Sequence, residues 1–212
     1  MTEAELIGIL ANDAVEGSKA LLGAVLVKGA MRAQIVETEA YRHIDPACHA
    51  YGKTKMKNMA LWSAPGNSYL YFTYGNHWML NVVAEPEGIP AAVLIRAARP
   101  LGGIGEMQAN RGRERIHDLL SGPGKLAQAF GLNASNNELP LIGPEATQLR
   151  IMPADKAVEN VLSGPRIGIA VGKWHDVDWR FMDGENVEWV SRPIPAELRK
   201  NKKAATPSNI EK

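Results

Sequence analysis

Between Gln34 and Tyr41 the chain runs without a breaker, and Ile35 and Val36 open the run with β-branched side chains. Such a run reads as a β-strand. Strand geometry sends Glu37, Glu39 and Tyr41 to one face and Val36, Thr38 and Ala40 to the other. Two carboxylates and an aromatic do not build an apolar core. That face either meets solvent or lines a polar cleft.

The remaining pattern supplies the elements around this strand. Residues up to about Ala20 read as a helical lead-in, and Leu21–Val27 as a buried strand that turns through Lys28-Gly29-Ala30 into the Glu37 strand as an antiparallel pair. Ser68 to Val83 reads as two strands joined at Tyr74-Gly75-Asn76, since Gly and Asn tolerate positive φ. Tyr69 and Tyr71 share one face of this hairpin. Ala91–Ala98 is a strand apolar on both sides except at Arg96, which must find an acid or a buried acceptor, with Glu37 and Glu39 the candidates. A helix is expected after Ser121, with Ser121 as N-cap, Pro123 in the first turn and Gly131 as the stop. Residues 133–148 form a polar, Asn-rich connection. Arg166–Val171 reads as another buried strand, and Trp174, Trp179 and Trp189 as packing residues of a closing segment. The basic stretch Arg199-Lys200-Asn201-Lys202-Lys203 and the small polar residues after it read as a disordered tail. The expectation is one mixed α+β domain over residues 1–195, followed by a tail over 196–212.

Composition narrows the classes. The 212 residues are 45% hydrophobic, enough for a sizeable core in one domain. A formal charge of +1 offers no global positive field, so any nucleic-acid binding must rest on local clusters. Lys53, Lys55 and Lys57 form one such cluster without an acid among them, and Arg111, Arg113 and Arg115 form another. The single cysteine, Cys48, excludes a disulfide framework and a cysteine-based zinc finger. The N-terminus lacks a basic signal-peptide region, and no apolar run approaches the roughly 20 residues that cross a bilayer. These features point to a cytoplasmic protein with no membrane contact.

Four side chains and one glycine-rich turn invite chemistry. His43, Asp45, Cys48 and His49 lie close together but form no ligand set at a recognised metal spacing. His49 is better placed to stack or to hydrogen-bond. The glycines around Pro123 match neither a Walker nor a dinucleotide fingerprint, so no nucleotide cofactor is expected. The start of that helix, with Lys125 beside it, could seat a backbone phosphate. Tyr74, at a hairpin tip, has nothing to pack on, which suits a wedge that enters a base stack.

Taken together, Val36-Glu37-Thr38-Glu39-Ala40-Tyr41, His49, Pro65-Gly66, Tyr69-x-Tyr71-x-x-Tyr74-Gly75, Asn81, Ile95-Arg96-Ala97 and Ser121-Gly122-Pro123-x-Lys125-Leu126 resemble the alkyladenine (3-methyladenine) DNA glycosylase family of the mammalian-type fold. The resemblance runs from about Ala20 to Val190. It implies a curved antiparallel sheet flanked by helices, with a β-hairpin entering the DNA minor groove. It also implies excision of alkylated or deaminated purines from double-stranded DNA by a monomer that needs no cofactor and no metal.

By the same resemblance, Glu39 is the base that activates water. Arg96 and a backbone carbonyl at or near Ile167 help to hold that water. Tyr41, His49 and Tyr71 enclose the flipped base, Asn81 borders the pocket floor, and Tyr74 fills the gap in the duplex. Lys53, Lys55, Lys57 and Lys125 are candidate phosphate contacts. The loop between Glu39 and His49 is shorter here than in vertebrate members, and the turn after Tyr74 differs. The compact chain looks bacterial.

Two other readings compete. A damage-binding module of the same fold would bind distorted DNA without cutting, against which stand both Glu39 and Arg96. A glycoside hydrolase would pair Glu37 with Glu39, about 6.5 to 7 Å apart on one strand face. That reading leaves Tyr74 and the lysine loop without a role.

Overall fold

The computed structural model describes residues 1–53, 59–73 and 75–191. Lys55, Lys57, Tyr74 and the basic tail lie outside the described residues.

The helical lead-in is two helices. In α1 (Glu3–Asn12) Thr2 and Glu5 form a reciprocal capping box. Asp13 closes that helix, and its carboxylate accepts from the amides of Val15 and Glu16 to start α2 (Ala14–Ala20). The next strand begins later than its composition suggests. Leu21-Leu22-Gly23 is a turn, with Gly23 at φ +82°, and β1 covers only Val25–Lys28. The Gly23 amide still donates to the Ile35 carbonyl at 2.9 Å, but its positive φ bends the chain out of the regular ladder, which corrects the expected Leu21–Val27 strand.

The organising strand is β2 (Met31–Tyr41). Between Arg32 and Tyr41 it pairs with β5 (Ala92–Gly102). On its other edge it pairs first with β1, which continues to β6 (Arg150–Met152), and then with β8 (Arg180–Asp183), which continues to β7 (Val161–Gly164). Beyond β5 lies the hairpin of β3 (Ser68–Thr73) and β4 (His77–Val83). The result is an eight-stranded antiparallel sheet, curled into a half-barrel, that forks along one edge of β2.

One irregularity matters for the site. Between the Ile35–Ala98 and Thr38–Ile95 pairs the β2–β5 ladder slips twice, leaving Val36 unpaired on one strand and Arg96 unpaired on the other. Bulges re-aim side chains. Here they bring Arg96 to the face that carries Glu37 and Glu39.

The main core lies between the sheet and the helices. Leu6, Leu10, Leu26, Ile35, Leu80, Ile95, Met107, Leu126 and Phe130 are fully buried there. The helices α3 (Ile104–Arg111) and α4 (Pro123–Ala129) complete this layer, and α4 lies against β4. The N-cap of α4 is Gly122, not Ser121, whose hydroxyl instead accepts from Lys125 Nζ at 3.1 Å. That contact uses the side chain on which the capping expectation depended. A smaller cluster of Cys48, Ala50, Leu61, Trp62, Tyr69, Val83 and Ala92 packs beneath the aromatic face of the hairpin.

Arg166–Val171 is not a strand. It is a loop in which Gly168 (φ +79°) and Gly172 (φ +87°) turn the chain, and Val171 at its apex is 85% exposed. Its apolar composition reflects a wall of the cleft described next. No helix among the described residues is long and apolar enough to cross a membrane.

Candidate active site

The carboxylates of β2 are both fully buried, which removes the solvent-facing alternative. They have different surroundings. Glu37 Oε1 receives Arg96 Nε at 3.2 Å, Arg180 Nε at 2.6 Å and the Ser191 hydroxyl at 2.8 Å, while the Ser191 amide donates to Oε2 at 2.5 Å. This carboxylate is saturated with donors. Glu39 Oε2 receives the Tyr41 hydroxyl at 2.7 Å and Arg96 Nη1 at 3.1 Å, and the Ile167 amide donates to Oε1 at 2.7 Å. A carboxylate oxygen can accept about two donors. Glu39 Oε1 receives one among the described contacts, so it retains capacity for a water.

Charge and burial set the protonation of these partners. Burial works against the charged form of Arg96, but Glu39 and then Glu37 outweigh it, and its pKa is raised. Burial, reinforced by the Glu39 charge, pushes the Tyr41 phenol well above its ordinary value, so it remains a donor at neutral pH.

Tyr41, Arg96 and Ile167 also line a cleft of about 470 Å³. Tyr71, Thr73, Met79 and Asn81 of the hairpin form one wall, and the loop from Ile167 to Ala170, with Lys173, forms the other. His49, Tyr69, Leu94 and Pro123 are among the other lining residues. The volume accommodates a purine. Glu39 lies one layer behind this surface, screened by three groups that touch it.

The aromatic residues meet as a group. The His49 ring stands edge-on to Tyr71, with centroids 4.3 Å apart, and its Nδ1 is 3.0 Å from the Tyr69 hydroxyl. Tyr69 and Tyr71 lie 5.7 Å apart on one hairpin face. Burial, and then Lys53, lower the His49 pKa, so its ring is neutral near pH 7. Asn81 is buried, and Nδ2 donates to the carbonyls of Tyr69 at 3.1 Å and Met79 at 3.3 Å. With both amide protons committed, Asn81 is left with its carbonyl oxygen for other contacts.

The suspected metal neighbours diverge. Asp45 pairs with Arg166, and His43 Nδ1 lies 3.0 Å from Glu85. Cys48 is buried in the small core. Among the described residues no group of three or more His, Cys, Asp or Glu side chains converges. Lys53 is exposed, and Lys125 is half-buried close to Pro123 in the cleft lining.

Several site residues escaped the sequence reading. Arg180 and Ser191 saturate Glu37, Arg166 packs behind Tyr41, and Thr73, Met79 and Lys173 line the cleft. Arg166 and Arg180 each interrupt an apolar stretch, the same signal that singled out Arg96.

The profile of the methylpurine-DNA glycosylase family matches residues 8–187. The chain belongs to that family. A relative from Rhodopseudomonas palustris strain CGA009 is 44% identical over 176 residues, covering 82% of each chain. One from strain HaA2 of that species is 46% identical over 162 residues, covering 76% of this chain and 77% of its own. One from Francisella tularensis strain SCHU S4 is 39% identical over 187 residues, covering 86% of this chain and 96% of its own. All three are named "Putative 3-methyladenine DNA glycosylase". This family member is therefore a DNA glycosylase, a DNA-repair hydrolase that acts on N-glycosyl bonds.

Proposed function

We propose that this glycosylase acts as a monomer in the bacterial cytoplasm and excises 3-methyladenine, 7-methylguanine, hypoxanthine and ethenoadenine from double-stranded DNA, through a flipped base and a water activated by Glu39. The observation that carries the reading is the Glu39 carboxylate. It is held by the Ile167 amide, the Tyr41 hydroxyl and Arg96, all three of which line a purine-sized aromatic cleft.

The chemistry follows from that arrangement. As the bond from C1′ to the base nitrogen breaks, its electron pair leaves with the base and positive charge builds on the sugar. The Glu39 anion stabilises that charge and takes a proton from the water whose oxygen adds to C1′. Arg96 orients the carboxylate and helps to hold the water. The Ile167 amide contacts Glu39 directly, and its carbonyl is the further candidate for holding the water. Glu37, neutralised by two guanidinium groups, fixes Arg96 and takes no part in proton transfer.

Binding uses other residues. Extruding a base costs a few kcal/mol, least where pairing is already damaged. Tyr41, Tyr71 and His49 offset this by stacking, and a cationic base gains roughly 0.5 to 2 kcal/mol more from a cation–π contact. Asn81 screens the floor of the pocket. Tyr74 fills the gap that the flipped base leaves in the duplex. Lys53, Lys55, Lys57 and Lys125 contact phosphates, which makes affinity fall with salt.

The test is single-turnover release of hypoxanthine or ethenoadenine from a labelled duplex in EDTA, by wild type and Glu39→Gln. Excision by wild type that is lost in the variant, with lesion binding retained, is the expected result. Binding without excision of any lesion by wild type would establish a damage-binding module. Equal cutting by both proteins would transfer the role of base to Glu37. Borohydride should trap no covalent adduct, because hydrolysis by water forms no imine with Lys173.

A further inference from the structure

We propose that Arg166 is the positioning residue of this site: from behind the cleft it fixes both the ring of Tyr41 and the amide of Ile167. The inference rests on the reading of the cleft as the excision site. The Arg166 side chain is fully buried and reaches three separate pieces of the cleft. Its Nη1 donates to the Ala40 carbonyl at 3.0 Å, on β2 between Glu39 and Tyr41. Both terminal nitrogens meet the Asp45 carboxylate, Nη1 on Oδ2 and Nη2 on Oδ1 at 3.2 Å, at the start of the loop that carries His49. Nη2 also lies 3.4 Å from the Trp174 carbonyl, at the far end of the Ile167–Lys173 wall.

The guanidinium plane covers two rings, at 4.7 Å from the Tyr41 centroid and 5.3 Å from Trp179. Tyr41 is therefore backed by a buried cation while it also lines the cleft. Arg166 is also the chain neighbour of Ile167, whose amide holds Glu39 Oε1. A shift of Arg166 moves the stacking platform and that donor together.

Stability alone does not explain such a residue. A buried ion pair is often no more stabilising than well-packed apolar side chains. In addition, Arg166 Nε is buried and meets no acceptor among the described residues, which subtracts from whatever stability the pair supplies. What the pair supplies is geometry. A planar fork can bind a carboxylate and two carbonyls while stacking on rings, and a lysine cannot.

The test uses Arg166→Lys and the double variant Asp45→Asn/Arg166→Met, which removes both charges and so leaves no lone buried ion. For each, the folded fraction is measured, then the single-turnover excision rate per folded molecule and the affinity for a duplex carrying a tetrahydrofuran abasic analogue. That analogue has no base to stack. The expected result is an excision rate lower by roughly 10- to 100-fold in both variants, with abasic-duplex affinity unchanged, since small misplacements at a reacting centre have effects of that size. The quenching of ethenoadenine fluorescence that accompanies stacking should weaken in parallel. An excision rate per folded molecule equal to wild type would overturn the proposal and leave Arg166 a fold anchor. So would a loss of abasic-duplex affinity that matches the loss of rate. Rescue by Arg166→Lys alone would reduce the role to charge. Failure of wild type to excise any base would instead count against the proposed function.

Discussion

Arg96 is shared by two carboxylates of one strand: Nε lies 3.2 Å from Glu37 Oε1 and Nη1 lies 3.1 Å from Glu39 Oε2. One guanidinium therefore transmits the position of the saturated carboxylate to the one beneath the cleft. Arg180 completes the charge balance, with two arginines facing two glutamates in a buried group.

Replacing Glu37 disturbs that balance. Glu37→Gln keeps the volume but leaves two buried guanidinium groups facing one carboxylate. Removing one partner of a buried pair costs about 3–5 kcal/mol. Urea denaturation should show a loss of that order with an unchanged m-value, and excision per folded molecule should fall because Arg96 loses its second anchor.

Tyr41→Phe tests the contact with Glu39 separately from stacking. The phenol donates to Glu39 Oε2 at 2.7 Å, and a hydrogen bond to a charged group contributes about 1.5–3 kcal/mol. If that contribution is realised in the transition state, the single-turnover rate should fall about tenfold or more. Lesion affinity should persist, because the ring remains.

His49 sets a pH dependence whose sign follows from burial. Its pKa is lowered in the folded protein, by burial and then by Lys53, so the unfolded chain takes up the proton first as pH falls. Stability should be fully present above the ordinary histidine value of about 6.5 and should decline as pH drops below it. Thermal melts of wild type and His49→Gln across pH 5 to 8 check this: the decline should be shallower in the variant, within the window where about one histidine titrates.

Gly124 governs how closely α4 approaches the hairpin. A Cβ there would stand 2.9 Å from His77 Cγ and 3.1 Å from His77 Cβ, too near the backbone for the ring simply to swing aside. Gly124→Ala should cost roughly 1–3 kcal/mol, as overpacking does. It should also weaken binding to undamaged and damaged duplex alike, since β4 carries one side of the hairpin.

Local geometry was legible in the order of residues along the chain. The two-residue period of a strand put Glu37, Glu39 and Tyr41 on one face, and the Tyr41–Glu39 hydrogen bond realises it. A lone arginine in an apolar strand had to find an acid, and Arg96 found two. The tyrosines two residues apart on β3 had to share a face, as Tyr69 and Tyr71 do.

The difference between the two carboxylates comes from long-range contacts. Glu37 is saturated by Arg180 and Ser191, and Glu39 receives an amide from Ile167, all more than a hundred residues away in the chain. No local rule pairs such distant groups. The Arg166–Val171 stretch shows the same limit from the other side. Its apolar residues suit a buried strand and a cleft wall equally well, and the choice was made by two glycines in left-handed conformation and by a buried ion pair with Asp45. Composition records that these side chains avoid water, and long-range contacts settle which surface they cover.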